Sequence, residues 1–158
     1  MAHPMPLIPI GVDEQQWSYA VGQIRGYCHW HIAPTRTETI TVDGPGGDLL
    51  ALPTQRLTDV ASITNDGTVV TDPEWSQSGL VRIGYRWSSK MRGVVATITH
   101  GYELWPDELE ALALDIISMS SRGGAKQVSS GAHQVSFEAS LTSSQRATLD
   151  RYRLVDLP

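Results

Sequence analysis

The stretch VVATITHGYELWPDELEALALDIISM, residues 94–119, decides the fold because it joins a strand to a helix through a short turn. Its first part is rich in β-branched residues, which suit a half-buried strand: Val94, Val95, Thr97, Ile98 and Thr99. His100 and Gly101 end that run, and Pro106 fits the first turn of a helix, where its missing N–H leaves no hydrogen bond unmade. The helix that follows has one apolar face, formed at three- and four-residue spacing by Leu109, Leu112, Ala113 and Ile116.

The acidic residues of this stretch have a structural explanation. Asp107, Glu108 and Glu110 lie in the first turn of the predicted helix, where negative charge is favoured by the helix dipole. We therefore assign them no general acid–base role, and the stretch carries no catalytic signature. Residues 94–119 are interpreted as scaffold.

Composition narrows the class of protein. The chain has 158 residues, of which 41% are hydrophobic, enough for a sizeable core. A net charge of −5 argues against a protein that binds nucleic-acid phosphates over a broad surface. The single cysteine cannot form an internal disulfide. Residues 1–11 are apolar but short, broken by proline and without a basic flank, so we expect no signal peptide and a soluble protein made inside the cell.

The first two-thirds of the chain predict a helix followed by an antiparallel β section. The helix runs from Asp13, its N-cap, to about residue 32, and Pro34 ends it. Two hairpins follow: one pairs 37–42 with 49–52 across DGPGGD, and the other pairs 60–64 with 68–71 across Asn65-Asp66-Gly67. Residues 80–83 and 94–99 add two further strands, and residues 84–93 are predicted to form an exposed hairpin tip.

The last part predicts a flexible connector, one alternating strand over 133–139 and a helix over 142–153 capped by Thr142 and Gln145. The fold class is therefore α+β: a small helical bundle with an inserted antiparallel β-hairpin region and a C-terminal strand–helix arm. Its predicted parts are an N-terminal extended arm (1–12), a core domain (13–121) and a connector with a C-terminal strand and helix for docking (122–158). The apolar N-terminal arm packs on its own domain or on a neighbouring subunit, two alternatives that look the same in sequence.

Cys28, His29 and His31 form the one sequence cluster of metal-capable side chains. A structural zinc site needs four ligands and a catalytic one three plus water, so the favoured interpretation is a buried thiol beside two helix-end histidines. No nucleophile elbow and no phosphate-binding loop is present in the sequence. We therefore predict no catalytic residues, no metal site and no cofactor.

The predicted hairpin tip interleaves basic and aromatic residues: Tyr85, Arg86, Trp87, Lys90 and Arg92. Such a pattern can contact nucleic acid. In a chain of net negative charge we favour a solvated, partner-facing or channel-facing loop that lets DNA backbone pass without sequence readout.

Several stretches taken in order resemble a known family. They are YCHWHIAP, TVDGPGGDLLALP, VASITNDGTVV, GLVRI, VVATITHGYELWPDELEALALDI and QVSFEASLTSSQRATLDRYR. This succession, over residues 12–153, resembles the head-to-tail connector (adaptor) proteins of long-tailed bacteriophages, especially those infecting actinobacteria. The most specific parts are the strand–HGY–x–x–WP–acidic–helix junction and the terminal LT–x–x–Q–R–x–x–L–D–R–Y motif.

The resemblance implies a structural, non-enzymatic protein of the virion neck, made in the host cytoplasm and without contact to a membrane. Such proteins form a homo-oligomeric ring, commonly a dodecamer, below the portal protein. The ring extends the DNA channel and carries the next neck protein or tail terminator. The alternatives are another neck or tail component (a stopper or tail terminator) and, less favoured, a small metal-binding or enzymatic domain.

A docking role for the C-terminal part follows from this interpretation. We expect residues 134–139 to add as a strand to another subunit or to the portal, and the last helix to dock beside it. The predicted partner-contact residues are Gln134, Val135, Ser136, Phe137, Glu138, Ala139, Leu149, Tyr152 and Arg153.

Overall fold

A computed structural model describes residues 4–122 and 140–154 of the chain. It is an α+β protein with two compact units. Of the described residues, the helical unit comprises 4–31, 104–122 and 140–154, and the β unit comprises the inserted residues 32–103. None of the helices in the described ranges has the length and apolar character needed to cross a membrane.

In the described residues, the helical unit contains α1 (Glu14–Cys28), α2 (Asp107–Arg122) and α3 (Ser143–Asp150). Asp13 caps α1 by accepting hydrogen bonds from the N–H groups of Gln15 and Gln16 at 3.0 and 3.1 Å. The three helices pack on one another around a common core. Its fully buried members include Trp17, Ala20, Val21, Ile24, Cys28, Leu109, Ala113 and Leu149.

The first helix ends earlier than the sequence predicted. His29 takes a left-handed conformation (φ 64°), and its N–H donates to the Arg25 carbonyl at 2.8 Å. The helix therefore stops at Cys28, and Pro34 does not end it. The predicted capping box of the last helix is confirmed: Thr142 and Gln145 exchange hydrogen bonds of 3.0 and 3.2 Å.

The β unit contains seven strands in two antiparallel sheets. They are β1 (Arg36–Val42), β2 (Leu49–Ala51), β3 (Leu57–Asn65), β4 (Thr68–Val69), β5 (Glu74–Trp75), β6 (Leu80–Arg82) and β7 (Val94–His100). One sheet has the order β1-β7-β3-β4 and the other the order β2-β6-β5. Between them lies a core that includes Leu50, Leu57, Ile63, Val81, Trp87, Val94 and Ile98.

Strand pairing confirms one predicted hairpin and contradicts the other. β3 and β4 pair across the Asp66-Gly67 turn, as the sequence predicted. The predicted pairing of 37–42 with 49–52 is wrong: β1 pairs with β7 and β2 pairs with β6. The reason is that β7 is buried along one side and is paired on both edges, whereas the residues after β1 leave the sheet to begin the second one.

Candidate functional site

Three loops of the β unit meet to form the surface that the sequence predicted to face a partner. This loop cluster consists of residues 43–48, 65–67 and 84–93. Backbone hydrogen bonds join the first loop to the third: the Gly44 N–H donates to the Lys90 carbonyl at 2.9 Å, and the Trp87 N–H donates to the Gly47 carbonyl at 2.8 Å. Residues 84–93 therefore form a loop that packs on residues 43–48. The predicted hairpin tip is wrong, because β6 and β7 belong to different sheets.

Asn65 fastens the β3–β4 turn to the third loop. Its Oδ1 accepts from the Ser88 N–H at 2.9 Å, and its Nδ2 donates to the Arg86 carbonyl at 3.3 Å. The Asp66 N–H adds a hydrogen bond of 2.7 Å to the Gly93 carbonyl. The sequence identified Asn65 as a turn residue, and the role of its amide was missed because both partners lie more than twenty positions away.

Trp87 is a core residue. Only 2% of its surface is exposed, and its indole N–H donates to the Val81 carbonyl at 3.3 Å. The prediction of an exposed loop position is therefore wrong for Trp87. Burying an aromatic ring is favourable when its polar N–H has a partner, as it does here. In contrast, Tyr85 and Met91 of the same loop are exposed.

The basic residues of the loop cluster are matched by acids. Lys90 Nζ lies 2.7 Å from both carboxylate oxygens of Asp66, and Arg86 Nε lies 3.9 Å from Asp48 Oδ1. The third acid, Asp43, accepts a 2.6 Å hydrogen bond from the backbone N–H of the third basic residue, Arg92. Since the two side-chain ion pairs are exposed, each adds little stability. Their effect is to leave the loop cluster nearly neutral, without the excess positive charge that phosphate binding requires.

The strand-end histidine of the opening stretch is the buried member of a partly buried ionic group. His100 Nε2 and Arg36 Nη2 lie 2.8 and 2.6 Å from the same Glu38 oxygen. Burial lowers the pKa of His100 and outweighs the opposing effect of Glu38. Burial alone would raise the pKa of Glu38, but the hydrogen bonds from His100 and Arg36 lower it. Arg36 and His100 are register partners of β1 and β7, so the group fastens the two strands.

Cys28 is placed in the core of the helical unit. Its thiol donates to the Leu149 carbonyl at 3.7 Å, and burial raises the pKa of the thiol to about 12. A metal ligand must be the thiolate, which this environment disfavours. His29 is exposed and His31 is buried. Within the ranges the structure describes, Cys28 belongs to no group of three metal-capable side chains.

The predicted contact residues of the last helix are used inside the helical unit. Leu149 is fully buried, and the Tyr152 carbonyl accepts from the Trp30 indole at 2.6 Å. The Arg153 guanidinium lies 5.3 Å from the Tyr27 ring centroid. These contacts fasten α3 to α1, and a partner interface at these residues stays a prediction. The predicted strand 134–139 lies outside the described residues.

Comparison with known proteins gives a fold relationship. No protein-family model matches the chain, and no curated protein matches it. Among solved structures, a chain from the neck of a native GTA particle (a phage-like gene transfer agent) superposes with a TM-score of 0.62 and 14% identity, over 91% of this chain and 82% of that one. A chain from the neck of an empty GTA particle gives a TM-score of 0.56 and 15% identity, over 91% and 78%. The chain shares the fold of these neck proteins.

Proposed function

We propose that the protein is a structural component of the neck of a phage-like particle. It forms a homo-oligomeric ring there and acts as the head-to-tail adaptor between the portal and the next neck protein or tail terminator. The observation that carries this proposal is the fold shared with GTA neck chains over 91% of the sequence. The family resemblance of the sequence motifs points independently to the same place in the particle. An actinobacterial host stays a prediction from that resemblance alone.

Two observations support the ring: the symmetry of the particle necks that contain similar chains, and the apolar N-terminal arm of this chain. The necks that contain the two similar chains were computed with C12 and C6 symmetry. Closed rings arise when one surface of a subunit binds a different surface of the next. A chain with an apolar N-terminal arm offers a surface of that kind.

The charge of the chain supports a conduit that DNA passes without being held. The net charge is −5, and the acids of the loop cluster lie opposite its basic residues. A channel wall that bound phosphates tightly would slow the passage of DNA, because each phosphate contact adds affinity. The proposed role is structural, in keeping with the fold shared with neck chains.

Deletion of the gene from the producing strain tests the proposal. We expect DNA-filled heads without attached tails in electron micrographs, and tailed particles when the intact gene is restored in trans. A strain that lacks the gene and still releases normal tailed particles would overturn the proposal. Cryo-electron microscopy of the wild-type neck would then test the ring and its place beneath the portal.

A further inference from the structure

Two backbone carbonyls of the N-terminal arm accept hydrogen bonds from side chains of α1. The Pro6 carbonyl accepts from the Trp17 indole at 3.3 Å, and the Pro4 carbonyl accepts from the Arg25 guanidinium at 2.8 Å. The three prolines of the arm fix their own φ angles near the extended range. Residues 4–6 of the arm are thus held on α1 within the single chain.

This fixed arm leaves two aliphatic side chains without burial. Leu7 is 83% exposed and Ile10 is fully exposed, whereas Pro6 is buried. Neighbouring large apolar groups that a chain holds in solvent mark an interaction surface more often than scattered single ones do. Prior ordering of the arm lowers the entropy that binding would otherwise cost.

The helical unit also carries an apolar groove of about 200 Å³ between its three helices. The groove is uncharged, since its lining consists of apolar, hydroxyl and amide side chains. They include Tyr19, Ile116, Met119, Ser120, Leu141 and Gln145. A groove of this chemistry suits aliphatic side chains and offers nothing to a charged ligand.

The arm and the groove involve different side chains of α1: Trp17 and Arg25 for the arm, and Tyr19 for the groove. At about 100° per residue, Tyr19 is about 200° around the helix from Trp17, which anchors the arm. Neither Leu7 nor Ile10 is among the described residues that line the groove of the same copy. The two apolar surfaces are thus separate and chemically matched, as a head-to-tail contact between copies requires.

We propose that Leu7 and Ile10 of one copy insert into the groove between α1, α2 and α3 of the next copy. This inference rests on the proposed ring and names the contact that propagates it. Because the two surfaces differ, each copy inserts its arm into one neighbour and accepts the arm of the other neighbour. The ring closes when the arm of the last copy reaches the groove of the first.

Disulfide trapping in assembled particles tests the contact. The double variant Ile10→Cys/Ser120→Cys places one thiol on the arm and one on the groove wall. The native Cys28 is buried with a raised pKa and does not compete. After mild oxidation we expect a ladder of covalent multimers on non-reducing gels. The matched control, Ile10→Cys/Leu104→Cys, pairs the arm with an exposed residue outside the groove (Leu104 is 70% exposed) and should give no ladder.

Mixing the two single variants tests whether the contact joins different copies of the chain. Particles that incorporate Ile10→Cys together with Ser120→Cys should yield covalent dimers, and either variant alone should not. An intrachain disulfide, or no cross-link in particles whose necks contain the chain, would overturn the inference and leave the proposed function standing. Particles that never contain the chain would instead refute the proposed function, and the arm contact with it.

Discussion

Truncating Leu149 separates two interpretations of the last helix. The side chain is fully buried in the helical unit, beside the Cys28 thiol that donates to its carbonyl. Leu149→Ala removes three carbons from this core, worth about 0.8 kcal/mol each before the cavity is counted. Large-to-small substitutions of this kind cost about 2–5 kcal/mol in total. We expect the free energy of unfolding of the isolated chain to fall by that amount.

Urea unfolding of the purified chain, followed by circular dichroism, measures this change. The matched control is Ser144→Ala on the exposed side of the same helix, which should shift the free energy of unfolding by no more than about 0.5 kcal/mol. If Leu149→Ala unfolds at the same urea concentration as the wild type but no longer enters particles, our reasoning is refuted. Leu149 would then serve docking and not the core.

Three other measurements test the β unit and the thiol. Gly44→Ala should destabilise the β unit by about 1–3 kcal/mol in urea unfolding, because the added Cβ would lie 2.0 Å from a backbone oxygen. Gly47→Ala is the neutral control, because no atom lies within 4 Å of its added Cβ. Equal destabilisation by the two variants would contradict the prediction. The thermal midpoint should fall as the pH drops below about 6.5. The fold lowers the pKa values of His100 and Glu38, so on acidification these groups bind protons in the unfolded chain at a higher pH than in the folded one, which favours unfolding. A thermal midpoint that rises on acidification would contradict this prediction. Cys28 should react with a thiol reagent only after denaturant is added, and immediate labelling in buffer would show that it is accessible.

Local signals in the sequence predicted most element types correctly. The strand and helix of the opening stretch appear as β7 and α2, and the caps at Asp13 and Thr142 form as expected. Each of these features is set by neighbours within one turn of helix or a few strand residues. The β5 strand was missed because its two residues are too short to show a period.

The candidate surface was predicted in part. The sequence identified the loop 84–93 by its basic and aromatic residues, but not the acids that face them from the other two loops. It also could not distinguish Trp87 from Tyr85, because an aromatic residue in a polar loop can be buried or exposed. The three-dimensional arrangement of the sheets places Trp87 in the core and leaves Tyr85 exposed.

The sequence by itself determined the α+β class, the helical faces, the capped ends and the hairpin at Asp66-Gly67. Only the tertiary structure decided that β1 pairs with β7, that the last helix packs on α1, and that Arg36, Glu38 and His100 form one hydrogen-bonded group. The physical reason is how far apart along the chain the residues that determine each feature lie. Helix periods, caps and tight turns depend on residues close in the chain, whereas an alternating strand can pair with any complementary edge, and burial of the whole core selects which one.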